Sequence, residues 1–272
     1  MENPYRPIKT EVLGVITETP AIKTLRLKPK EPITFVSGQF IELTIPGVGE
    51  APFTPSSRPA VKDIMEVTIM KVGKVTQKVH ELKKGDIVGL RGPFGKGYPL
   101  DKFRGREIVV VGGGCGLAPL RSLMYELFDK KHEFKKIFYR GGCKAPSEFL
   151  YKKEITEWKD EHKEVSIRLT VDKGEEGWKE NVGVVTTILD DLDMDIQSGI
   201  AVVCGPPIAM KYATMKLLDL GFADENIYLS MEKNMSCGIG KCGHCRIGTY
   251  YACKDGPVFT YDKIKNFHEI WA

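Results

Sequence analysis

The stretch Glu107-Ile-Val-Val-Val-Gly112-Gly-Gly-Cys115-Gly116-Leu-Ala-Pro119-Leu-Arg121 changes character twice along its length. Ile108, Val109, Val110 and Val111 form an apolar run without polar alternation, the pattern of a strand buried on both faces. Glycines then dominate a short turn. Beyond it Leu117, Leu120, Leu123, Met124, Leu127 and Phe128 recur on one face at helical spacing. Buried strand, glycine turn and amphipathic helix together open a parallel α/β domain. Downstream, strands are predicted at 136–139, 165–170, 200–204 and 226–230, with helices at 148–158, 184–192 and 209–220. Five strands with intervening helices predict a five-stranded parallel sheet covered on both faces.

Working upstream, the rhythm is different. Short alternating runs at 12–17, 24–27, 40–45 and 66–70 are punctuated by Pro20, Pro29, Pro32, Pro46 and Pro59. That spacing predicts a small antiparallel β-barrel. The change of rhythm after Gly92-Pro-Phe-Gly95 puts a boundary near residue 100. The expected organisation is a barrel over 1–100, an α/β nucleotide domain over 101–230, and a cysteine-bearing extension over 231–272.

In that extension Cys237, Cys242, Cys245 and Cys253 are spaced C-x4-C-x2-C-x7-C, the thiolate spacing of a plant-type [2Fe–2S] centre. Gly238, Gly240 and Gly243 let a short loop wrap a cluster and aim N–H groups at its sulfurs. Zinc is the competing metal, but structural zinc sites pair cysteines in two separated hooks, whereas three of these ligands share one loop. His244 lies among them as a bystander, since four cysteines already complete the set.

Composition narrows the functional classes. The 272 residues are 42% hydrophobic, enough for two ordinary cores. A net charge of +4 without a long basic run gives no support for nucleic-acid binding. The apolar stretch 108–120 is too short and glycine-rich for membrane insertion. No signal-peptide pattern opens the chain. Four of seven cysteines belong to the cluster motif, and Cys115, Cys143 and Cys204 are scattered, so a disulfide framework is not expected and the natural home is cytoplasmic.

Two glycine-containing strand ends point to a nucleotide. The turn with Gly113, Gly114, Cys115, Gly116, Ala118 and Pro119 would let a diphosphate approach a helix N-terminus; its alternative is an ordinary tight α/β turn. Cys204-Gly205-Pro206-Pro207, followed by Met210, ends another predicted strand at the same sheet edge. In the barrel, Pro52, Phe53, Thr54, Ser56 and Ser57 would line a flat ring with polar edges, or make an unremarkable loop. Ile69, Lys71, Gly73, Val75 and Thr76 surround a turn suited to a second diphosphate. No Ser-His-Asp set or carboxylate pair is evident, and the five histidines are dispersed, so no acid–base catalytic residue is assigned. Cys204 either faces a nicotinamide or is a buried thiol at a strand end. Arg140, Lys144, Tyr151 and Lys152 sit where a 2′-phosphate of NADP would lie, or on a solvated face. Tyr261, Ile264, Phe267 and Trp271 repeat near helical spacing and are expected to pack on their own domain.

Over nearly its full length the chain resembles the ferredoxin–NADP reductase superfamily, within it the flavoprotein electron-transfer subunits that end in a [2Fe–2S] cluster. That group includes sulfhydrogenase gamma subunits, their counterpart in anaerobic sulfite reductase and the electron-transfer subunit of dihydroorotate dehydrogenase. The resemblance is carried by Gly47-Val-Gly-Glu-Ala-Pro52, Arg91-Gly-Pro-Phe-Gly95, Gly113-Gly-Cys-Gly-Leu-Ala-Pro-Leu-Arg121, Cys204-Gly-Pro-Pro207, the cysteine loop and Cys253-Lys-Asp-Gly-Pro-Val-Phe259. It implies FAD on the barrel, contacted at Phe53, Thr54, Gly73, Val75 and Thr76, and NAD(P)H at Gly113, Gly114, Gly116, Ala118, Pro119, Cys204, Gly205 and Pro206. The family's flavin-motif arginine aligns with Ala51, which leaves Arg58, Lys71 or Arg91 to meet the FAD diphosphate. Cys115 replaces a common threonine. The implied activity passes electrons between nicotinamide, flavin and cluster to or from a catalytic partner subunit, such as a hydrogenase or sulfite reductase. A stand-alone NAD(P)H:ferredoxin reductase and a zinc-clipped, non-redox binding module are the competing readings.

Overall fold

A computed structural model describes residues 3–271 and divides the chain into two compact units. The first takes the residues up to Tyr98 with Arg121–Glu126 and Met231–Val258; the second takes Pro99–Leu120, Leu127–Ser230 and the residues from Phe259 onward. By compactness, Met231–Val258, which carries the cysteine loop, groups with the barrel, and the residues from Phe259 group with the α/β unit.

The first unit is built on six antiparallel strands: β1 Ile8–Thr19, β2 Ile22–Pro29, β3 Phe40–Ile45, β4 Gly49–Phe53, β5 Met65–Met70 and β6 Ile87–Phe94. Their order is β4-β3-β6-β1-β2-β5. Alternation does the folding. Leu25 and Leu27 on β2, Ile41 and Leu43 on β3, Val67 and Ile69 on β5, and Leu90 on β6 turn inward to a common core with Val12, while partners such as Lys23, Arg26 and Lys28 lie outside it. β4 escapes period-two reading because it carries Pro52 and little apolar content, both tolerated at the edge of a sheet. A short six-residue helix, α1 Lys74–Val79, follows β5.

The second unit alternates β7 Glu107–Gly113, α2 Leu117–Asp129, β8 Lys136–Cys143, α3 Lys152–Glu161, β9 Ser166–Val171, a short β10 Asn181–Val182, β11 Ile200–Cys204, α4 Pro207–Asp219 and β12 Ile227–Ser230. The cysteine segment adds a two-stranded ribbon to the first unit, β13 Arg246–Ile247 and β14 Tyr250–Tyr251. The chain then returns with β15 Val258–Thr260 to complete a seven-stranded sheet ordered β10-β9-β8-β7-β11-β12-β15, followed by α5 Tyr261–Ile264. The five expected strands are all present and pair in parallel. Because β8 lies on one side of β7 and β11 on the other, the winding direction reverses between β7 and β11. In open α/β sheets that reversal opens a ligand crevice at the carboxyl ends of the strands.

Two helices differ from expectation. The segment 184–192 holds only a 3₁₀ turn, Val185–Ile188, where Val185, Thr186, Thr187 and Ile188 crowd a helix with β-branched side chains. Helix α3 begins at Lys152 because Tyr151 takes a left-handed conformation, φ 56°, that a continuing helix cannot contain. In the tail, Ile264 and Ile270 are buried and the Tyr261 and Trp271 rings approach at 6.5 Å between centroids. Among the described residues no helix is long and apolar enough to cross a membrane.

Candidate functional site

In the α/β unit the two glycine-containing motifs meet. Strand pairing sets Cys204 beside Gly112 at the ends of β11 and β7. The next residues interlock: a Cβ built on Gly116 would lie 2.5 Å from both Cα and N of Gly205 and 2.6 Å from the Cys204 carbonyl carbon. Gly113, by contrast, has Ala209 Cβ and Pro206 Cδ 3.8 Å from its Cβ position, so its outer side keeps ordinary clearance. Gly114 turns the chain with φ +52°, and α2 follows directly through a 3₁₀ turn. The result is a loop whose backbone can be approached closely, at the switch point between β7 and β11, as a diphosphate site requires. Cys115 and Pro119 are half-buried; Ala118 and Cys204 are buried. Met210 is a buried residue of α4, its N–H donating to the Pro206 carbonyl at 3.0 Å.

Arg140 requires a correction. It sits within β8 rather than after it, and its side chain enters the domain interior with 1% exposure. Nε donates to the Ile188 carbonyl at 2.9 Å, while Nη1 donates to the carbonyls of Ser166 at 2.8 Å and Tyr139 at 3.2 Å. Burial, followed by the Arg168 charge, pulls its pKa down to about 10. A guanidinium so committed to its own domain does not reach for a 2′-phosphate, whereas Lys144 and Lys152 are exposed and Tyr151 is buried.

In the barrel unit the two flavin segments are brought together across the chain turn: a Cβ on Gly49 would lie 3.5 Å from Val75 Cγ2. Phe53, Thr54, Gly73 and Val75 are half-buried, Phe53 and Val75 both packing against the barrel core, and Lys71 is exposed two residues before Gly73. A half-buried aromatic and a turn with free space at Gly73 in one unit fit a flat ring carrying a diphosphate arm. Other expected contacts are engaged elsewhere. The Ser56 hydroxyl meets Thr68 Oγ1 at 3.1 Å, Ser57 Oγ accepts from the Glu66 N–H at 3.0 Å, and Ile69 belongs to the core. Thr76 Oγ1 accepts from the N–H groups of Val72 and Gly73, at 2.9 and 2.8 Å, so that hydroxyl shapes the turn. Of the three candidate diphosphate cations, Arg91 is bound to Glu50 and Arg58 stacks over the Tyr125 ring at 4.8 Å. Lys71 is the one with an exposed side chain beside the turn.

The cysteine loop lies in the same unit as the barrel. Gly238, Gly240 and Gly243 all have positive φ, the backbone that makes so tight a loop possible. N–H groups are aimed at sulfur throughout: Ile239, Lys241 and Cys242 toward Cys237 Sγ at 3.5, 3.3 and 3.4 Å, and Gly240 toward Cys253 Sγ at 3.0 Å. Burial alone would push the Cys237 thiol up, but these backbone donors stabilise its thiolate and bring its pKa down to about 6. Burial, then the Cys245 thiol 3.2 Å away, push Cys253 up. A two-iron cluster divides four thiolates between its irons, and a loop of N–H···S donors suits it. His244 Nδ1 is paired with Ser236 Oγ at 2.8 Å, outside the sulfur set.

Next to this loop lies a residue that sequence reasoning missed. Glu42, on β3 in register with Arg91, is fully buried and neither carboxylate oxygen has a hydrogen-bond partner among the described residues. Desolvation drives its pKa from 4.5 to about 7, against the opposing pull of Arg91. Its folded-state pKa is raised, so its contribution to stability is complete below pH 4.5 and is lost as pH rises through 7. Glu42→Gln should therefore gain on the parent by about 3 kcal/mol between pH 5 and pH 8. Unfolding midpoints of both proteins at the two pH values check this; a gap that does not widen with pH rules it out. Period-two alternation hides it, since Glu42 shares a strand face with Thr44, opposite Ile41, Leu43 and Ile45, and reads as an outward residue.

A barrel with a flavin-type junction, a switch-point nucleotide loop and a thiol-rich loop define an oxidoreductase of the ferredoxin-reductase type. Comparison with known proteins agrees. An oxidoreductase FAD-binding domain matches residues 11–98, an oxidoreductase NAD-binding domain matches 110–215, and the iron–sulfur cluster binding domain of dihydroorotate dehydrogenase B matches 232–265. The chain is 36% identical to sulfhydrogenase 2 subunit gamma of Pyrococcus furiosus, over 95% of this chain and 96% of that one. It is 33% identical to a probable dihydroorotate dehydrogenase B (NAD(+)) electron transfer subunit of Methanocaldococcus jannaschii, over 97% and 94%. The fold is shared with an NADH-dependent reduced ferredoxin–NADP oxidoreductase at TM-score 0.75 and 23% identity, over 95% and 92%. The chain belongs to the family of FAD-, NAD(P)- and iron–sulfur-binding electron-transfer subunits that includes these gamma and dihydroorotate dehydrogenase subunits.

Proposed function

We propose that this chain is the NAD(P)H-linked electron-transfer subunit of a larger redox enzyme, exchanging electrons with a catalytic partner such as a hydrogenase, a sulfite reductase or a related oxidoreductase. The observation that carries the proposal is the sulfur loop, with four N–H···S contacts, built into the same compact unit as the flavin-type barrel. Flavin, when bound, supplies the exchange between two-electron hydride chemistry at nicotinamide and single-electron chemistry at an iron–sulfur centre.

The chain's own residues bind and orient. Gly113, Gly114 and Gly116 open a backbone cradle for the nicotinamide diphosphate, and Gly205 and Pro206 form its opposite wall. Phe53, Thr54, Gly73, Val75 and Lys71 hold flavin, Lys71 supplying the charge that Ala51 does not. Cys237, Cys242, Cys245 and Cys253 ligate the cluster. No side chain is needed as an acid or base, because hydride and electron transfer depend on position and electrostatics. With Arg140 turned inward, Lys144 and Lys152 are the cations left to meet a 2′-phosphate should the nucleotide carry one.

The test is a visible spectrum of anaerobically purified protein before and after NADPH or NADH, with iron and zinc quantified on the same sample. Flavin and iron–sulfur bands that bleach with a nicotinamide are expected. A colourless, zinc-loaded protein overturns the proposal.

A further inference from the structure

One side chain joins the barrel to the cysteine loop. Arg91, on β6, is 3% exposed. Its Nε donates to Glu50 Oε1 at 3.0 Å and its Nη2 to Glu50 Oε2 at 2.7 Å, a two-pronged pair. Nη1 turns the other way and donates to the carbonyl of Cys237 at 3.3 Å and of Pro4 at 3.0 Å. The same strand end is moulded to the loop. Phe94, whose ring centroid lies 5.5 Å from the guanidinium, is 3.0 Å from the Cβ position of Gly238; Gly95 leaves only 2.5 Å between its Cβ position and the Gly256 carbonyl oxygen.

A neutral donor could hold the Cys237 carbonyl just as well. Burying a guanidinium is costly, so a charge at this place, where a neutral donor would serve, calls for a reason beyond packing. The reason lies in what an iron–sulfur centre does. When it takes one electron, no bond forms or breaks and one negative charge is added to the site. In surroundings of low dielectric, a fixed positive charge beside a ligating residue favours that reduced state, and a fixed negative charge opposes it.

We propose that Arg91 and Glu50 are positioning residues that set the reduction potential of the cluster held at Cys237, Arg91 raising it by its fixed charge and Glu50 moderating that effect. The inference rests on the reading of residues 237–253 as an iron–sulfur loop.

The experiment is an EPR-monitored reductive titration of the full chain, with iron quantified so that equally loaded samples are compared. Arg91→Gln leaves the Glu50 charge behind and should lower the reduced-to-oxidised ratio at a given potential about tenfold, equal to 59 mV for a one-electron couple. Glu50→Gln leaves Arg91 uncompensated and should move the ratio several-fold the opposite way. Arg91→Lys keeps the sign of the charge and should shift it less than Arg91→Gln. A purely structural role would loosen the loop in every variant and shift all of them in one direction. Shifts of equal sign, or none, overturn the proposal. If Arg91→Gln loads no iron, Glu50→Gln decides alone, and a potential that fails to rise in that variant overturns it equally. Parent protein without an iron–sulfur signal would instead remove the cluster reading itself.

Discussion

Cys245→Ser is expected to leave a flavin-only protein: iron falls to background and the cluster bands vanish, while nicotinamide still bleaches flavin. Cys245 is 1% exposed and its sulfur lies 3.2 Å from Cys253 Sγ. The thiolate is what binds iron, and a serine hydroxyl at this buried position stays protonated. The barrel should survive the change, because the segment is held by contacts that do not involve that sulfur. The Ala252 N–H donates to the Cys245 carbonyl at 2.9 Å, Met231 N–H to the Pro257 carbonyl at 2.9 Å, and Arg91 to the Cys237 carbonyl. Electron delivery to a one-electron acceptor should drop by more than about 100-fold. Iron analysis with stopped-flow spectra reads both quantities. Full iron retention in the serine variant would falsify the ligand assignment.

Gly116→Ala is expected to have the other large effect, this time on the nicotinamide loop. The new methyl would sit 2.5 Å from Cα and N of Gly205, atoms of a backbone that has no rotamer by which to retreat. Forcing these loops apart should destabilise the chain by about 3 kcal/mol, the upper end for overpacking. Nicotinamide affinity should weaken on the order of 100-fold as the cradle opens. Gly113→Ala separates packing from binding. Its neighbours are 3.8 Å away and its φ of −140° suits any residue. Stability should change by less than about 0.5 kcal/mol, while a methyl on the approach side still hinders the diphosphate. Thermal unfolding with nicotinamide titrations of the two variants distinguishes these outcomes. Equal stability of the Gly116 and Gly113 variants would show that the close approach to Gly205 is not a constraint.

Much of this arrangement could be read without coordinates, for a local reason. The run Ile108–Val111, its glycine turn and the leucine face of α2 are patterns of neighbouring residues, and backbone propensity with hydrophobic period suffices to interpret them. The cysteine spacing is equally local, because the loop must place three thiolates within a few residues of one another. The segment 184–192 shows the limit: its apolar content matched a helix, but β-branched crowding left a 3₁₀ turn.

What a side chain does at long range was not legible. Arg140 looks in sequence like a phosphate ligand, yet lies inside β8 with its donors on the carbonyls of Ser166 and Ile188, a choice made by which face of the strand is buried. Ser56 and Ser57 resemble ligand hydroxyls until β5 arrives to take them. Arg91 and Cys237 are 146 positions apart, and only the packed barrel sets one against the other. The amino-acid order alone determined the two rhythms of the fold, the nucleotide turn and the spacing of the four cysteines, since each depends on residues close along the chain. The tertiary structure decided which polar groups stay available for cofactors and which charges stand beside the sulfur loop, because burial and pairing between distant strands exist only once the chain has folded.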